Sequence, residues 1–160
     1  MSHIRTFARL GTTVFALCAL LAPVTSTAQQ PAASPAPAKQ TLYARLGGYD
    51  AIALVTDDFI TRLATDPKLS KFFTGLSDNS KGRVRQLVVD QLCAATGGPC
   101  IYIGRDMKTS HKGLNITEAE WQIAVTHLGE SLNRYKVGPA EQKDLAAALV
   151  TLKPDIVQGK

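Results

Sequence analysis

One short segment carries most of the side chains that could hold a cofactor. His111 follows Met107 by four residues, and apolar Leu114 and Ile116 come soon after it. Residues four apart share a helix face, so a single turn brings the thioether beside the imidazole. This combination suits an iron porphyrin, because the macrocycle supplies four nitrogens and the protein adds one axial ligand and an apolar slot. The spacing alone favours a simpler interpretation, in which His111 caps a short helix and faces solvent.

A zinc site is the other metal centre that these residue types could form. Zinc takes three or four protein ligands. Cys93, Cys100, His111 and His127 could supply them only at a spacing that is not typical of zinc motifs. For His127, which lies in a helical stretch, a structural or exposed role is the simpler interpretation. The two cysteines could form a disulfide in an oxidising compartment, and two free thiols are the alternative.

Residues 1–28 have the pattern of a secretory signal peptide. Arg5 and Arg9 precede an uncharged apolar stretch, residues 10–24, and the small residues 26–28 follow it. The stretch is shorter than the roughly 20 residues of a bilayer span. We therefore expect cleavage, a periplasmic or secreted location and no stable membrane insertion, with an uncleaved N-terminal anchor as the alternative. Residues 29–40 are rich in Pro and Ala and predict an extended linker, which leaves a folded domain at residues 41–157.

The charge of the chain gives no indication of a nucleic-acid partner. The whole sequence carries +5, with 18 basic and 13 acidic residues. Removal of Arg5 and Arg9 with the signal leaves 16 basic residues and a net charge of +3. The remaining charges are dispersed rather than clustered, so we expect no nucleic-acid binding.

Apolar residues recur with helical spacing in four stretches of the folded domain. The first stretch ends before Pro67 and the second before Gly97, while Thr117 with Glu120 forms a capping box for the third and Pro139 starts the fourth. The apolar stripes are Ile52, Val55, Phe59 and Leu63; Val84, Val88, Leu92 and Ala95; Trp121, Val125, Leu128 and Leu132; and Leu145, Leu149 and Leu152.

The segment between the second and third helices has a different character. Residues 101–116 predict mostly irregular chain with one short turn at Asp106–Ser110. A long irregular segment inside a small helical domain suggests that a bound group, rather than side chains, fills part of the interior.

A series of short motifs spans the folded domain in a fixed order. They are TLYARLGG at residues 41–48, VTDDF at 55–59, Asp66-Pro67, Phe72-Phe73, Gly97-Gly98-Pro99, Tyr102, GRDMK at 104–108, His111, Gly113-Leu114 and Ile116. From about residue 41 to residue 157 the chain resembles the group I truncated haemoglobins.

The resemblance implies an all-α, 2-over-2 helical sandwich that holds haem b. His111 would be the proximal ligand of the iron. Phe73 would stack on the porphyrin, or else belong to the core. Arg105 would meet a haem propionate, or else remain a solvated charge. The resemblance also implies that the pocket is lined by Tyr102, Met107 and Ile116.

The chain departs from this family on the distal side. Ile60 stands where group I proteins usually have a tyrosine. Counting back from Gly97, the distal-helix positions become Val84 and Val88. A different register would bring Gln86 or Gln91 inward. In the favoured register the pocket is apolar, which favours CO or NO over dioxygen, because dioxygen is held by a hydrogen-bond donor.

The resemblance therefore implies a haem-binding globin that reversibly binds dioxygen, NO or CO. The alternatives are an NO dioxygenase or peroxidase-like enzyme, which would need an unidentified reductase or an oxidant, and an electron-transfer or haem-carrier protein.

Overall fold

A computed structural model describes residues 39–159, so the predicted signal peptide and nearly all of the linker lie outside the described residues. This part of the chain is all helical and contains no strand, which confirms the predicted fold class. Its elements are α1 (Leu42–Arg45), α2 (Gly48–Thr65), a 3-10 helix (Ser70–Phe73), α3 (Asp78–Ala95), α4 (Met107–His111), α5 (Glu118–Arg134), α6 (Pro139–Val150) and α7 (Lys153–Ile156).

The helix ends follow local signals in the sequence. Gly47 and Gly48, with φ of 94° and 80°, adopt left-handed conformations that favour glycine and start α2. At α5 the capping box is complete, because the Thr117 side chain accepts from the Glu120 N–H and the Glu120 carboxylate accepts from the Thr117 N–H. The capping box was predicted from the sequence. The short helices α1 and α7 and the 3-10 helix were not.

Helix α2 lies at the centre of the domain and packs against both α3 and α5. Helix α1 joins it to α6. The buried apolar side chains come mainly from these elements: Ile52, Val55, Leu69, Val89, Leu92, Cys93, Leu132 and Leu145. These eight are few for a domain of this size, and no aromatic residue is among them.

A carboxylate with little solvent exposure ties α2 to α5. Asp58, whose side chain is 8% exposed, accepts hydrogen bonds from Arg62 Nε at 2.7 Å and Arg134 at 2.6 Å. It also accepts from the hydroxyl of the fully buried Ser131 at 2.8 Å. These contacts, chiefly the hydrogen bond from Arg62, lower the pKa of Asp58. The carboxylate therefore stays ionised and links the two helices.

A disulfide joins the end of α3 to the chain beyond it. Cys93 and Cys100 are bonded, with their Cα atoms 5.7 Å apart. The turn between them requires glycine at Gly98, where a β-carbon would lie 2.5 Å from the Tyr43 ring and 2.7 Å from the Cys93 sulfur. Of the two possibilities that the sequence left open, the structure has the disulfide.

Candidate functional site

His111 is the last residue of α4, and one of its ring nitrogens is already engaged. Nδ1 lies 2.9 Å from the carbonyl oxygen of Met107, one turn earlier. A carbonyl can only accept, so Nδ1 carries the proton and Nε2 keeps its lone pair. In the described part of the chain Nε2 has no hydrogen-bond partner. A half-buried imidazole oriented in this way is ready to bind a metal through Nε2.

The helix that carries His111 is only five residues long and is held from both ends. The Asp106 carboxylate accepts from the Thr109 N–H at 2.6 Å, which lowers the pKa of Asp106 and caps the N-terminus. Beyond the helix, the Ile116 carbonyl accepts from the backbone N–H groups of Gln158 and Gly159. Helix α4 packs mainly on α7. The C-terminal segment therefore positions the histidine, a role that sequence reasoning missed.

Helices α3 and α4 do not pack extensively on each other. The predicted site residues on and around them are neither buried nor fully exposed, apart from Arg105. The half-buried set is Ile60, Phe73, Val84, Val88, Tyr102, Met107, His111 and Ile116. An apolar set that stays half-buried indicates a surface that a further group covers.

Helix α3 presents two different faces. Val89, Leu92 and Cys93 are buried on one face, and this helix packs on α2. Val84 and Val88 are half-buried and, by helical spacing, lie on another stripe, which Gln91 continues one turn later. Val88 also packs against the edge of the core. The predicted stripe thus mixed the two faces, since Leu92 belongs to the buried one.

Gln86, one of the two alternative distal residues, is engaged elsewhere. Its amide nitrogen donates to the Tyr49 hydroxyl at 2.6 Å and to the Asp90 carboxylate at 2.9 Å. Tyr49 lies on α2, so the Gln86 side chain lies against that helix. Gln91 makes no such bond in the described part of the chain.

The loop before α4 brings Tyr102 and Arg105 together. The Tyr102 hydroxyl donates to the Arg105 carbonyl at 2.6 Å, and burial raises the pKa of this phenol. A β-carbon at Gly104 would collide with the Tyr102 ring, so a larger residue there would displace this ring. The Arg105 side chain is exposed and has no ion-pair partner among residues 39–159. A propionate is one anion that it could bind.

The two adjacent phenylalanines of the 3-10 helix have different surroundings. The Lys71 ammonium lies over the Phe72 ring, 4.9 Å from its centroid, and pairs with Glu120 at 2.6 Å. Phe73 ends the 3-10 helix and is half-buried without such a contact. Of the pair, Phe73 is the one that is available to stack on a flat ligand.

The other candidate metal ligands are occupied by structural contacts. The disulfide between Cys93 and Cys100 leaves no thiolate from either residue for zinc. His127 Nε2 lies 3.0 Å from the Asp66 carboxylate, and Nδ1 lies 3.4 Å from Glu130. Chiefly through the hydrogen bond from His127, the pKa of Asp66 is lowered. His127 thus links the end of α2 to α5.

These observations fit haem and do not fit a metal ion held by protein ligands alone. Only one imidazole nitrogen is available, and residues 39–159 contain no cluster of three His, Cys, Asp or Glu side chains that could hold a metal. A porphyrin needs a single protein nitrogen and an apolar slot. The half-buried apolar side chains of α3, α4 and the chain around them are of the kind that would line such a slot.

Comparison with known proteins decides the family, because the bacterial-like globin family model matches residues 41–158. The chain belongs to this family. It is 33% identical to a group 1 truncated haemoglobin of Mycolicibacterium paratuberculosis over 120 residues, which cover 75% of this chain and 86% of that protein. It is also 33% identical to group 1 truncated haemoglobin LI410 of Chlamydomonas moewusii over 138 residues, which cover 83% of this chain and 79% of the relative.

A solved structure is similar over the same part of the globin. The Fe(III) form of the truncated haemoglobin from Tetrahymena pyriformis has a TM-score of 0.69 and 26% identity, and the match covers 76% of this chain and all of the other. The fold is therefore that of a truncated 2-over-2 globin, and the cofactor of the protein is haem.

Proposed function

We propose that this globin binds haem b through His111 and a diatomic gas on the opposite, apolar side of the haem. The main support for this proposal is the hydrogen bond from His111 Nδ1 to the Met107 carbonyl, which leaves Nε2 for the iron. When bound, haem would supply the iron that binds the gas. Met107 positions the imidazole, while Phe73, Tyr102 and Ile116 exclude water from the slot.

The chain supplies no donor at the proposed distal positions. Ile60, Val84 and Val88 have aliphatic side chains only. The Tyr102 hydroxyl donates within its own loop, and the Gln86 amide donates to α2. A lost hydrogen bond of the charge-assisted type costs about 1–3 kcal/mol. The missing hydrogen bond to dioxygen supports a preference for NO and CO. It argues against oxygen transport. The lack of a distal proton donor also argues against peroxidase chemistry.

The proposed ligand is tested by a pair of histidine variants. His111→Ala should lose most of its bound haem in a haem titration followed by absorbance, because the only proposed iron ligand is gone. His127→Ala is the matched control, since it removes an imidazole of α5 that contacts Asp66 and Glu130 instead. Full haem retention by His111→Ala, or equal losses in both variants, would assign the ligand elsewhere.

We also infer export to the periplasm or the cell exterior. The N-terminal charge and apolar pattern supports it, and a disulfide fits an oxidising compartment. Expression of the full chain followed by N-terminal sequencing of the periplasmic fraction should find a start near Gln29. Protein that keeps Met1 in the membrane fraction would instead identify an uncleaved anchor.

A ferrous iron would need an electron donor from outside the chain. The two cysteines of the folded domain are joined to each other, so no thiol is available there to reduce the iron. An external reductase is therefore part of the proposal. With NADH alone the ferric absorbance spectrum should persist, and spontaneous reduction would remove the need for a reductase.

A further inference from the structure

The segment between the disulfide and α4 exposes the two most solvent-accessible large apolar side chains described. Ile101 and Ile103 are each 80% exposed, compared with 55% for Val150 and 52% for Leu54. Single exposed apolar side chains are common on soluble proteins, whereas adjacent ones form a patch that favours a contact.

Solvent exposure alternates along residues 101–103, with Tyr102 less exposed than Ile101 and Ile103. Residues 101–103 have no helical structure, and side chains alternate in extended chain. Tyr102 is the half-buried member, and its hydroxyl is fixed on the Arg105 carbonyl. Ile101 and Ile103 therefore point away from the side that Tyr102 faces, toward solvent.

Basic residues that lack ion-pair partners belong to the same local unit. The hydroxyls of Tyr102 and Ser110 both donate to the Arg105 carbonyl, which folds residues 102–110 together. Within the described residues, Arg105, Lys108 and Lys112 make no ion pair. Two acidic residues are near them: Asp106 caps α4, and Asp155 of α7 lines a surface cavity together with Lys108 and Lys112. Residues 101–112 thus combine two projecting aliphatic side chains with an excess of positive charge, three basic residues against the one acidic residue Asp106.

We propose that residues 101–112 form a docking surface for an anionic phospholipid membrane, an inference that goes beyond gas binding. Two aliphatic side chains can enter the boundary between headgroups and acyl chains, and flanking lysines are attracted to anionic lipid. Lipid needs no complementary shape, whereas a protein interface needs a larger buried core with aromatic or arginine anchors. A second copy of this chain would bring like charges together.

The chain outside the described residues supports this occupant. The uncharged apolar stretch at residues 10–24 directs the chain to a membrane during export or holds it there. Export to the periplasm, as proposed above, would place the folded globin in a compartment that is bounded by membranes. Between residues 39 and 159 no helix is long and apolar enough to cross a membrane, so the proposed contact is peripheral and reversible.

Vesicle co-sedimentation tests the proposal on the haem-loaded chain from residue 29 onward. The vesicles are pure phosphatidylcholine, or phosphatidylcholine mixed with phosphatidylglycerol. We expect binding to the anionic vesicles only, and weaker binding as salt is raised. Ile101→Ser with Ile103→Ser should weaken binding at least tenfold. Lys108→Gln with Lys112→Gln should weaken it about fivefold for each lysine.

Matched variants separate this surface from general effects of charge and hydrophobicity. Leu54→Ser with Val150→Ser removes two other exposed apolar side chains, and Lys68→Gln with Lys143→Gln removes two other exposed charges. The Leu54/Val150 double variant should bind like the wild type, and the Lys68/Lys143 double variant should bind within about twofold of it for each charge removed. The haem absorbance spectrum of every variant reports its folding independently of lipid.

Three outcomes would overturn the proposal. They are absence of binding to anionic vesicles, equal binding by wild type and the Ile101/Ile103 double variant, and self-association in sedimentation velocity that this variant abolishes. The last result would assign the patch to a second copy of the chain. Vesicle binding does not depend on His111, so the proposal and the proposed function can fail separately.

Discussion

Ile60 is the residue at which this globin departs most clearly from the tyrosine expected from the group I pattern. It lies in α2, one turn after the buried Thr56, and is half-buried. An aliphatic side chain at this position offers no proton to a gas on the haem.

Replacement of Ile60 by Tyr should slow dioxygen dissociation by roughly tenfold, which corresponds to about 1.4 kcal/mol of added stabilisation. The new hydroxyl would donate to dioxygen, whereas CO carries little charge, so CO dissociation should hardly change. Stopped-flow ligand replacement measures both rates. Ile60→Phe is the control of similar size without the hydroxyl, and an equal slowing by both variants would mean that bulk rather than hydrogen bonding acts.

The two glutamines of α3 give a second test of the distal side. Because Gln86 bonds to Tyr49 and Asp90, Gln86→Ala should leave dioxygen dissociation within about twofold. Gln91 continues the stripe of Val84 and Val88, so Gln91→Ala is the more sensitive variant. If wild type holds dioxygen tightly and Gln91→Ala abolishes this, a glutamine is the distal donor and the apolar-pocket proposal is wrong.

At the residue scale, the resemblance to group I truncated haemoglobins implied that His111 is the iron ligand, and this assignment remains a prediction. The structure adds the bond from its ring to the Met107 carbonyl. The anchoring of Ile116 by Gln158 and Gly159 involves backbone atoms more than 40 residues away along the chain. Such contacts leave no periodic pattern and could not be predicted from spacing.

Among the helices, α5 shows how one residue serves two purposes. Glu120 caps its own helix and pairs with Lys71 of the 3-10 helix. The pKa of Glu120 is lowered from 4.5 to about 2. The hydrogen bond from the Lys71 ammonium makes the largest contribution, and the one from the Thr117 N–H makes the next largest. The capping part was predictable from the sequence, whereas the pairing with Lys71 was not.

The lowered pKa of Glu120 predicts acid sensitivity. The unfolded chain takes up this proton near pH 4.5 and the folded chain only near pH 2, so the contribution to stability is present above about pH 4.5 and is lost as the pH falls toward 2. Glu120→Gln keeps a capping side chain without the charge. Urea unfolding should therefore show a difference between wild type and Glu120→Gln that shrinks over this window.

Asp50→Asn serves as the control for that experiment, because Asp50 is exposed and has no ion pair in the described part of the chain. Its difference from wild type should change less over the same pH range than that of Glu120→Gln, because no ion pair is lost. A Glu120→Gln difference that does not vary with pH would show that the Lys71 pair contributes nothing to stability.

The contact between α2 and α5 predicts unequal effects for two neighbouring aspartates. Asp58→Asn should lower the free energy of unfolding by about 1–3 kcal/mol, because the buried Ser131 hydroxyl and two arginines lose a charged acceptor. Asp57→Asn should cost less than about 1 kcal/mol, since Asp57 pairs with Arg85 at the surface and is 50% exposed. Equal costs would mean that the α2–α5 cluster is not a specific contact.

Helix existence and helix ends were largely predictable, because glycines, prolines and caps mark them locally. The side of a helix that is buried was harder to predict. The predicted stripe on α5 included Val125, which is 43% exposed, whereas Ser131 is fully buried. Buried polar groups such as Asp58 and Ser131 replace part of the expected apolar contact. In α3 the apolar residues serve two surfaces, so one stripe could not describe them.

For the molecule as a whole, the small apolar core and the disulfide are connected features. With few buried hydrophobic side chains in the domain, stability depends more on haem and on covalent links. The Cys93–Cys100 bond closes a short loop between α3 and the segment that carries Tyr102. We expect it to form only where the compartment is oxidising.

Loss of this bond should lower the free energy of unfolding by about 2–3 kcal/mol in the loop-closure account. Cys100→Ser is the suitable variant, because Cys93 is fully buried and a free thiol packs there as a small apolar group. Added dithiothreitol should bring the wild type to the level of Cys100→Ser and leave that variant unchanged. Thiol titration of unfolded protein from the periplasm should find no free thiol in wild type, provided that Cys18 has been removed, and one in Cys100→Ser. Two free thiols in the exported wild type would show that the bond does not form in the cell, and would remove the disulfide as support for export.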